Sequence, residues 1–214
     1  RSRNSPACSR NPRPRAMRRT VRFLRRNTKK RRTAECRKGE EKRIREWIVF
    51  LDSGDTLVDE TTQVFDERGV VLRAQLIPGA RELLEALRRE GIPVAMVADG
   101  LAESFRNVYR GLGLESYFAR RIYSSDVGAE KPSPLMFETA LRAMGLTEAD
   151  KERIVMMGNH VKKDIAGANR FGITSVLLDW SHRYPTVPET PDETPDFIVH
   201  TPLDLLEVLS LPRG

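Results

Sequence analysis

From Trp47 onward, the chain alternates short apolar runs with segments in which apolar residues recur every three or four positions. The apolar runs stop abruptly at polar or Gly residues, which is typical of buried strands in a parallel sheet. The predicted strands are residues 47–51, 93–97, 120–123, 154–157, 175–178 and 197–199. Between and after them lie the predicted helices ARELLEALRRE, LAESFRNVYRGLG, SPLMFETALRAMG, KKDIAGANRFG and PLDLLEVLSL, with stop glycines at 91, 145 and 172. This alternation predicts a three-layer α/β/α sandwich around a parallel sheet.

One segment, TTQVFDERGVVLRAQL at residues 61–76, departs from this alternation. Two runs rich in β-forming residues flank the turn sequence DERG, which predicts a β-hairpin. We therefore expect a short hairpin flap between the first and second strands of the sheet.

Residues 1–46 differ from the rest of the chain in charge. They hold 19 Lys and Arg against four Glu, a net charge of +15, whereas residues 47–214 hold 18 against 26, a net charge of −8. This basic extension has few apolar residues and no sustained periodicity, so we expect it to be largely disordered and separate from a folded domain at 47–214. Blocks of like charge can bind nucleic acid or anionic surfaces, and the alternative for this extension is a solvated segment that the domain does not need.

Both cysteines, Cys8 and Cys36, lie in this extension. The domain therefore has no disulfide framework, no thiolate metal site and no Cys nucleophile, which favours a reducing, cytoplasmic location. No stretch of the sequence approaches a transmembrane span or a secretory signal.

The first predicted strand runs straight into a carboxylate. In WIVFLDSGDTLVDE, Asp52 follows the apolar run directly and Asp55 comes three residues later. In open α/β sheets, ligands bind just beyond the carboxyl ends of the strands. Polar residues at such ends occupy positions 52–56, 98–100, 130–134 and 158–164. Their convergence on one crevice predicts a functional site, and a turn or capping role for Asp52 and Asp55 is the alternative.

Four motifs, FLDSGDTL, VAMVADG, EKPSPLMF and MMGNHVKKDIAGANRFG, resemble in their order and spacing the haloacid dehalogenase-like hydrolase superfamily. The resemblance covers about residues 47–210. It implies a Rossmann-like sheet, a Mg²⁺ cofactor, a phosphorylated substrate and transfer of the phosphoryl group to Asp52.

The chemistry that the resemblance implies needs positive charge around the reacting group. A carboxylate that attacks a phosphate monoester is an anion approaching an anion. By resemblance, Lys131 supplies one positive charge at the phosphoryl oxygens, and Mg²⁺ supplies the other. The implied Mg²⁺ ligands are Asp52, the backbone carbonyl of Gly54, Asn159 and Asp164.

The chain departs from the family pattern at the residue expected to act as general acid. The family places an Asp two residues after the nucleophile, whereas this chain has Gly54. Asp55, one place further on, is the candidate substitute, and a turn Asp that points elsewhere is the alternative. Loss of a general acid typically slows a reaction by about a hundredfold or more.

Two other motifs also depart from the pattern. The second motif usually ends in Ser or Thr, but here Ala98 is followed by Asp99 and Gly100, whose backbone N–H groups we expect to bind the phosphoryl anion instead. In the fourth motif, Asn159 stands where the first acid is expected. An amide oxygen still suits Mg²⁺, though more weakly than a carboxylate.

These departures leave three functions open. The leading hypothesis is a Mg²⁺-dependent phosphohydrolase that is slow. The alternatives are a non-catalytic binding module that keeps the fold and an anion site, and a dehalogenase-like hydrolase that uses the same nucleophile without a metal. Only 46 positions separate Asp52 from Ala98 and 31 separate Gly100 from Lys131, so we expect a hairpin flap but no helical cap domain. Such an open site favours a bulky substrate or a homo-oligomer in which a neighbour closes the crevice.

Overall fold

The computed structural model describes residues 22–23, 47–181 and 183–211. In chain order the strands are β1 (Arg22–Phe23), β2 (Ile48–Leu51), β3 (Val58–Phe65), β4 (Val71–Leu76), β5 (Val94–Ala98), β6 (Arg120–Tyr123), β7 (Ile154–Gly158), β8 (Thr174–Leu178) and β9 (Phe197–Val199). Seven of them form one sheet in the order β1-β9-β8-β7-β2-β5-β6, in which all neighbours are parallel except β1 and β9. The six predicted strands are confirmed, each within one residue of its predicted bounds.

The order of the strands fixes where a crevice opens. From β2, an interior strand of the sheet, the chain moves outward to β5 and β6 and then crosses back to β7 on the other side of β2. The connections therefore diverge at the carboxyl end of β2, which is where open parallel sheets bind their ligands.

Helices cover both faces of the sheet. They are α1 (Ala80–Arg89), α2 (Ala102–Gly111), α3 (Ser124–Val127), α4 (Pro134–Ala143), α5 (Ala166–Phe171) and α6 (Leu205–Val208). The predicted stop glycines lie just past α1, α4 and α5. The KKDIAGANRFG segment is helical as predicted, but it opens with a wider π-helical turn, Val161–Ile165, before α5 begins.

Alternate side chains of β2 enter different layers of the core, as a strand buried on both faces requires. Val49 and Leu51 pack in the cluster that contains α1 and α6, whereas Ile48 and Phe50 pack in the cluster that contains α4 and α5. All four side chains are buried. The predicted three-layer sandwich is thus confirmed.

The predicted hairpin is confirmed as β3 and β4, although β3 begins at Val58, three residues earlier than predicted. Its turn is closed by Asp66, whose Oδ1 accepts hydrogen bonds from the backbone N–H groups of Arg68 and Val70. The hairpin is fastened to α2, because the backbone N–H of Val71 donates to Oγ of Ser104 at 3.0 Å. This anchoring holds the flap over the carboxyl end of β2.

Of the basic extension, the structure describes only Arg22–Phe23, which form β1 and pair with Phe197 and Ile198 of β9. These two residues therefore lie against the domain. The expected disorder of the remaining extension, and both cysteines, lie outside the described residues, so the boundary at residue 46 stays a prediction. In the described ranges the longest helices have ten residues, and none has the length and apolarity of a bilayer-spanning helix.

Candidate active site

The centre of the site is a buried ammonium group between two carboxylates. Nζ of Lys131 donates to Oδ1 of Asp52 at 2.6 Å and to Oδ1 of Asp164 at 2.7 Å. Asp52 is 8% exposed and Lys131 is 3% exposed. The structure thus brings together three predicted site residues that are far apart in the sequence, and their charges leave one net negative charge.

The backbone around Asp52 is held in place by the neighbouring strand. The N–H of Asp52 donates to the carbonyl of Met157 at the end of β7, at 3.0 Å. Oγ1 of Thr56 donates to Oδ2 of Asp52 at the long distance of 3.3 Å. The Asp52 carboxylate is therefore bound tightly by Lys131, and the backbone N–H of Ser53 donates to it as well.

Both burial and neighbouring charges shift the pKa values of Asp52 and Lys131. Burial raises the pKa of Asp52 from its ordinary 3.8 to about 6, with Lys131 opposing the rise and Asp164 adding to it. Burial alone would lower the pKa of Lys131, but Asp164, Asp52 and Asp99 outweigh burial and raise it. Lys131 therefore stays charged across the physiological range, whereas Asp52 loses its proton near pH 6.

Asp164 is placed by the π-helical turn after β7. Its Oδ2 accepts a hydrogen bond from the backbone N–H of His160 at 3.0 Å, which leaves Oδ1 for Lys131. A Cβ built on Gly158 would overlap the Asp164 carboxylate. Gly158, the last residue of β7, is therefore the residue that lets Asp164 approach the sheet so closely.

Asn159, the residue that follows Gly158 at the end of β7, is buried, at 4% exposure. Its Nδ2 is one of three buried side-chain atoms among the described residues that have no hydrogen-bond partner. A buried amide left unpaired costs about 1–3 kcal/mol. Such a cost is expected where a polar side chain is kept for binding rather than for stability.

The residues of the second predicted motif form several hydrogen bonds with other segments. Oδ1 of Asp99 accepts from the backbone N–H of Lys131 at 3.0 Å, and Oδ2 pairs with Nζ of Lys163 at 3.1 Å. The N–H of Gly100 donates to Oγ of Ser124 at 2.8 Å. The N–H of Gly100 therefore already has a partner, and Asp99 positions the main chain of Lys131, so the anion site at Ala98, Asp99 and Gly100 stays a prediction.

Ser124 and the neighbouring Ser125 were missed by the sequence analysis. Oγ of Ser125 accepts from the N–H of Ala102, the first residue of α2, at 3.0 Å. Hydroxyl groups commonly satisfy the free N–H groups at a helix start, but usually from the residue just before the helix. Here they come from α3, more than twenty residues later in the chain, so local sequence gave no signal for them.

Asp55 is fully buried and is held by contacts with three other residues. Oδ1 accepts from the backbone N–H of Glu60 at 3.0 Å, and Oδ2 accepts from Oγ of Ser181 at 2.9 Å and from Nε of Arg183 at 2.8 Å. Both oxygens are thus engaged. The geometry does not support the general-acid role for Asp55, and it favours the alternative of a turn Asp that points elsewhere.

Glu60, at the start of the hairpin, was also missed, and it lies directly over Gly54. A Cβ on Gly54 would overlap Oε1 of Glu60 and would lie 2.8 Å from its Cδ. The other oxygen, Oε2, is 3.5 Å from Nε of Arg183. Burial raises the pKa of Glu60, the nearby Asp55 raises it further, and Arg183 opposes the rise.

A cavity of about 210 Å³ opens next to this loop, between the hairpin and α2. Its lining is partly polar and partly apolar and includes Ser53, Gly54, Glu60, Asp99, Leu101 and Phe105. The cavity therefore adjoins the residue that follows Asp52, and it offers space for the non-reacting part of a small substrate.

The residues at this centre fit Mg²⁺, though weakly. In the part of the chain that the structure describes, no three His, Cys, Asp or Glu side chains are grouped to hold a metal. The predicted ligand set contains only two carboxylates, those of Asp52 and Asp164. Its other two ligands are the amide oxygen of Asn159 and the backbone carbonyl of Gly54. All four are oxygen ligands of the type Mg²⁺ prefers, and the net negative charge of the centre favours a cation.

The fold and the buried Asp–Lys–Asp cluster define an α/β protein with a group of charged side chains at the carboxyl edge of a parallel sheet. A family model described as haloacid dehalogenase-like hydrolase matches residues 9–172. The chain belongs to this family. The resemblance seen in the four sequence motifs is therefore confirmed, and the matched region begins within the basic extension.

Relatives of the chain include both phosphatases and dehalogenases. It is 33% identical over 132 residues to a glyceraldehyde 3-phosphate phosphatase of Methanopyrus kandleri, covering 62% of this chain and 55% of the relative. It is 31% identical over 128 residues to haloacetate dehalogenase H-2 of Moraxella sp., covering 60% and 54%. The chain thus spans about half the length of these curated relatives. An uncharacterized protein from Listeria monocytogenes serotype 4b has a similar structure, with a TM-score of 0.64 and 26% identity, over 77% of this chain and 97% of that one.

Proposed function

We propose that this chain is a phosphohydrolase, which transfers the phosphoryl group of a phosphate monoester to Asp52 and then to water. The observation that carries the proposal is the contact of Lys131 with both Asp52 and Asp164 in a buried setting. The similarity to a phosphatase of Methanopyrus kandleri supports it.

Each residue of the centre has a role that its contacts support. Asp52 attacks phosphorus, and because its pKa is about 6 it is ionised at neutral pH. The charged Lys131 lies 2.6 Å from the attacking carboxylate and offsets negative charge as the phosphate approaches. Asp164 and Asp99 hold Lys131 in position through its ammonium group and its backbone N–H.

In this proposal Asp52, Asp164, the Asn159 amide oxygen and the Gly54 carbonyl would hold Mg²⁺. When bound, it supplies positive charge at the phosphoryl oxygens. The replacement of an acid by Asn159 makes this binding weak.

Asn159 also favours a second candidate, a dehalogenase-like hydrolase that works without a metal. Its Nδ2 is a buried donor without a partner, and a donor suits an anion such as a carboxylate or a departing halide rather than a cation. The similarity to the Moraxella haloacetate dehalogenase agrees with this candidate.

One panel of assays tests both candidates. Phosphate monoesters are assayed with Mg²⁺ and with EDTA, and chloroacetate and fluoroacetate are assayed with EDTA. We expect ester hydrolysis that needs Mg²⁺ and is lost in Asp52→Asn, with the exposed Asp126→Asn as the matched control. Halide release in EDTA would favour the second candidate.

A third outcome separates catalysis from binding alone. If no substrate turns over and beryllium fluoride forms no adduct at Asp52, the chain is a binding module and the proposal is wrong. An adduct at Asp52 that is absent in Asp52→Asn would support phosphoryl transfer even where the natural ester is missing from the panel.

A further inference from the structure

Phosphoryl transfer to Asp52 leaves one chemical task without a residue. The departing alkoxide needs a proton, and the water that later attacks the phosphorylated Asp52 must lose one. Gly54 has no side chain, and Asp55 has both oxygens engaged with Glu60, Ser181 and Arg183. Lys131 is held charged between two carboxylates.

Among the residues that line the cavity beside this loop, two carry carboxyl groups: Glu60 and Asp99. Asp99 is committed to the main chain of Lys131 and to Lys163. Glu60 remains, with a side chain that is 26% exposed and therefore reachable from the cavity.

The carboxyl group of Glu60 lies against Gly54. This carboxyl group fills the volume that a side chain at residue 54 would occupy, because a Cβ on Gly54 would overlap Oε1. The hairpin folds back so that Glu60 presents a carboxyl group above the backbone two residues after Asp52. Gly54 is what makes room for it.

The neighbours of Glu60 hold it in this place. Its backbone N–H donates to Oδ1 of Asp55 at 3.0 Å, which fixes the start of β3 against the loop. Arg183 lies 3.5 Å from Oε2, so Oε1 is the oxygen left against Gly54 and the cavity. Arg183 thereby orients the carboxyl group through one oxygen only.

We propose that Glu60 is the acid–base residue of this site, supplied by the hairpin in place of a side chain at residue 54. As the Asp52–phosphorus bond forms, Glu60 gives its proton to the ester oxygen and the alcohol leaves. The Glu60 carboxylate then takes a proton from the attacking water, phosphate is released, and Asp52 and Glu60 return to their starting states. This inference rests on the proposed function.

The test compares two kinds of ester. Alkyl phosphates have a poor leaving group that needs a proton, whereas 4-nitrophenyl phosphate has a good one that does not. For Glu60→Gln we expect kcat/KM to fall by about 100-fold or more with alkyl phosphates and by much less with 4-nitrophenyl phosphate. Glu67→Gln, an exposed Glu in the turn of the same hairpin, is the matched control and should change neither value.

A second variant moves the carboxyl group back along the chain. In Gly54→Asp/Glu60→Ala, the carboxyl group that would collide with a Cβ at residue 54 is gone, and the backbone of Gly54 lies outside the left-handed region that disfavours Asp. With alkyl phosphates we expect kcat/KM of this double variant to exceed that of Glu60→Ala by at least about tenfold. Such a gain is within the range that a correctly placed general acid provides.

The outcomes separate this inference from the function on which it rests. Equal losses with both esters, or no rescue by the double variant, would show that Glu60 is merely structural. Unchanged turnover of alkyl phosphates in Glu60→Gln would also overturn the inference and leave the phosphohydrolase proposal standing. An inactive wild-type protein, or activity that survives Asp52→Asn, would overturn both.

Discussion

Replacing Asp52 with Asn is expected to abolish activity and at the same time to stabilise the fold. Asp52 is 8% exposed, and burial raises its pKa to about 6 even though Lys131 opposes the rise. Asn keeps the shape of the side chain and removes its charge. The charged carboxylate that the proposed mechanism needs is therefore a net cost to folding at neutral pH, and the variant removes that cost.

The sign and size of the effect follow from proton linkage. An acid with a higher pKa in the folded than in the unfolded protein binds its proton more readily when folded, so stability falls as pH rises between the two values. For Asp52 this interval runs from about 3.8 to about 6. At about 1.4 kcal/mol per pH unit, the cost is roughly 3 kcal/mol above pH 7, about half of that near pH 5, and small below pH 4.

Urea unfolding of the metal-free protein in EDTA measures this difference at pH 4, 5 and 7.5. We expect the free energy of unfolding of Asp52→Asn to exceed that of the wild type at pH 7.5 and to approach it at pH 4, while the exposed Asp126→Asn stays within about 0.5 kcal/mol throughout. Mg²⁺ should shrink the gain, because a bound cation favours the charged carboxylate. A gain that is absent at pH 7.5, or equal at every pH, would refute the reasoning.

Three other substitutions probe the surrounding contacts. Lys131→Met leaves two carboxylates buried without their cation, so we expect a loss of about 3–5 kcal/mol in urea unfolding and no ester hydrolysis; a loss under 1 kcal/mol would contradict the buried geometry. Asn159→Asp adds a negative charge to the centre and should tighten Mg²⁺ in titration calorimetry, and an unchanged affinity would remove Asn159 from the ligand set. Arg183→Ala removes the cation from the buried Asp55 and should cost about 1–2 kcal/mol, discounted because the guanidinium is partly exposed. Lys162→Ala, which breaks an exposed ion pair, is its control and should cost less.

The fold could be predicted from the sequence because its signals are local. A buried parallel strand is recognised from its own apolar run, and a helix end from its own glycine, so the six parallel strands of the sheet were each predicted within one residue. β1 was not predicted, because two residues of a basic segment have no pattern of their own. Its pairing is decided by the free edge of β9, far along the chain.

The site was predictable only to the level of which residues meet. The motifs place Asp52, Lys131 and Asp164 beyond the carboxyl ends of predicted strands. In the structure Lys131 contacts both carboxylates. The partners of individual N–H groups were not predictable, as Gly100 shows, because Ser124 reaches it from a different element. Hydrogen bonds between distant segments depend on side-chain directions that a linear pattern does not contain.

The family pattern has an Asp at position 54, but this chain has Gly54 followed by Asp55. Contacts with residues elsewhere in the chain explain why an Asp stands at position 55. Asp55 has a φ of 45°, in the left-handed region, where an L-residue costs about 1–2 kcal/mol and Asp somewhat less. Its carboxylate accepts a bond from the backbone N–H of Glu60, worth about 1.5–3 kcal/mol, and one from the partly exposed Arg183, worth about 1–2 kcal/mol. The bonds exceed the strain, so the fold itself accounts for an Asp at position 55. The same bonds draw the start of the hairpin onto the loop, and this brings Glu60 over Gly54, the position at which the chain has no side chain of its own.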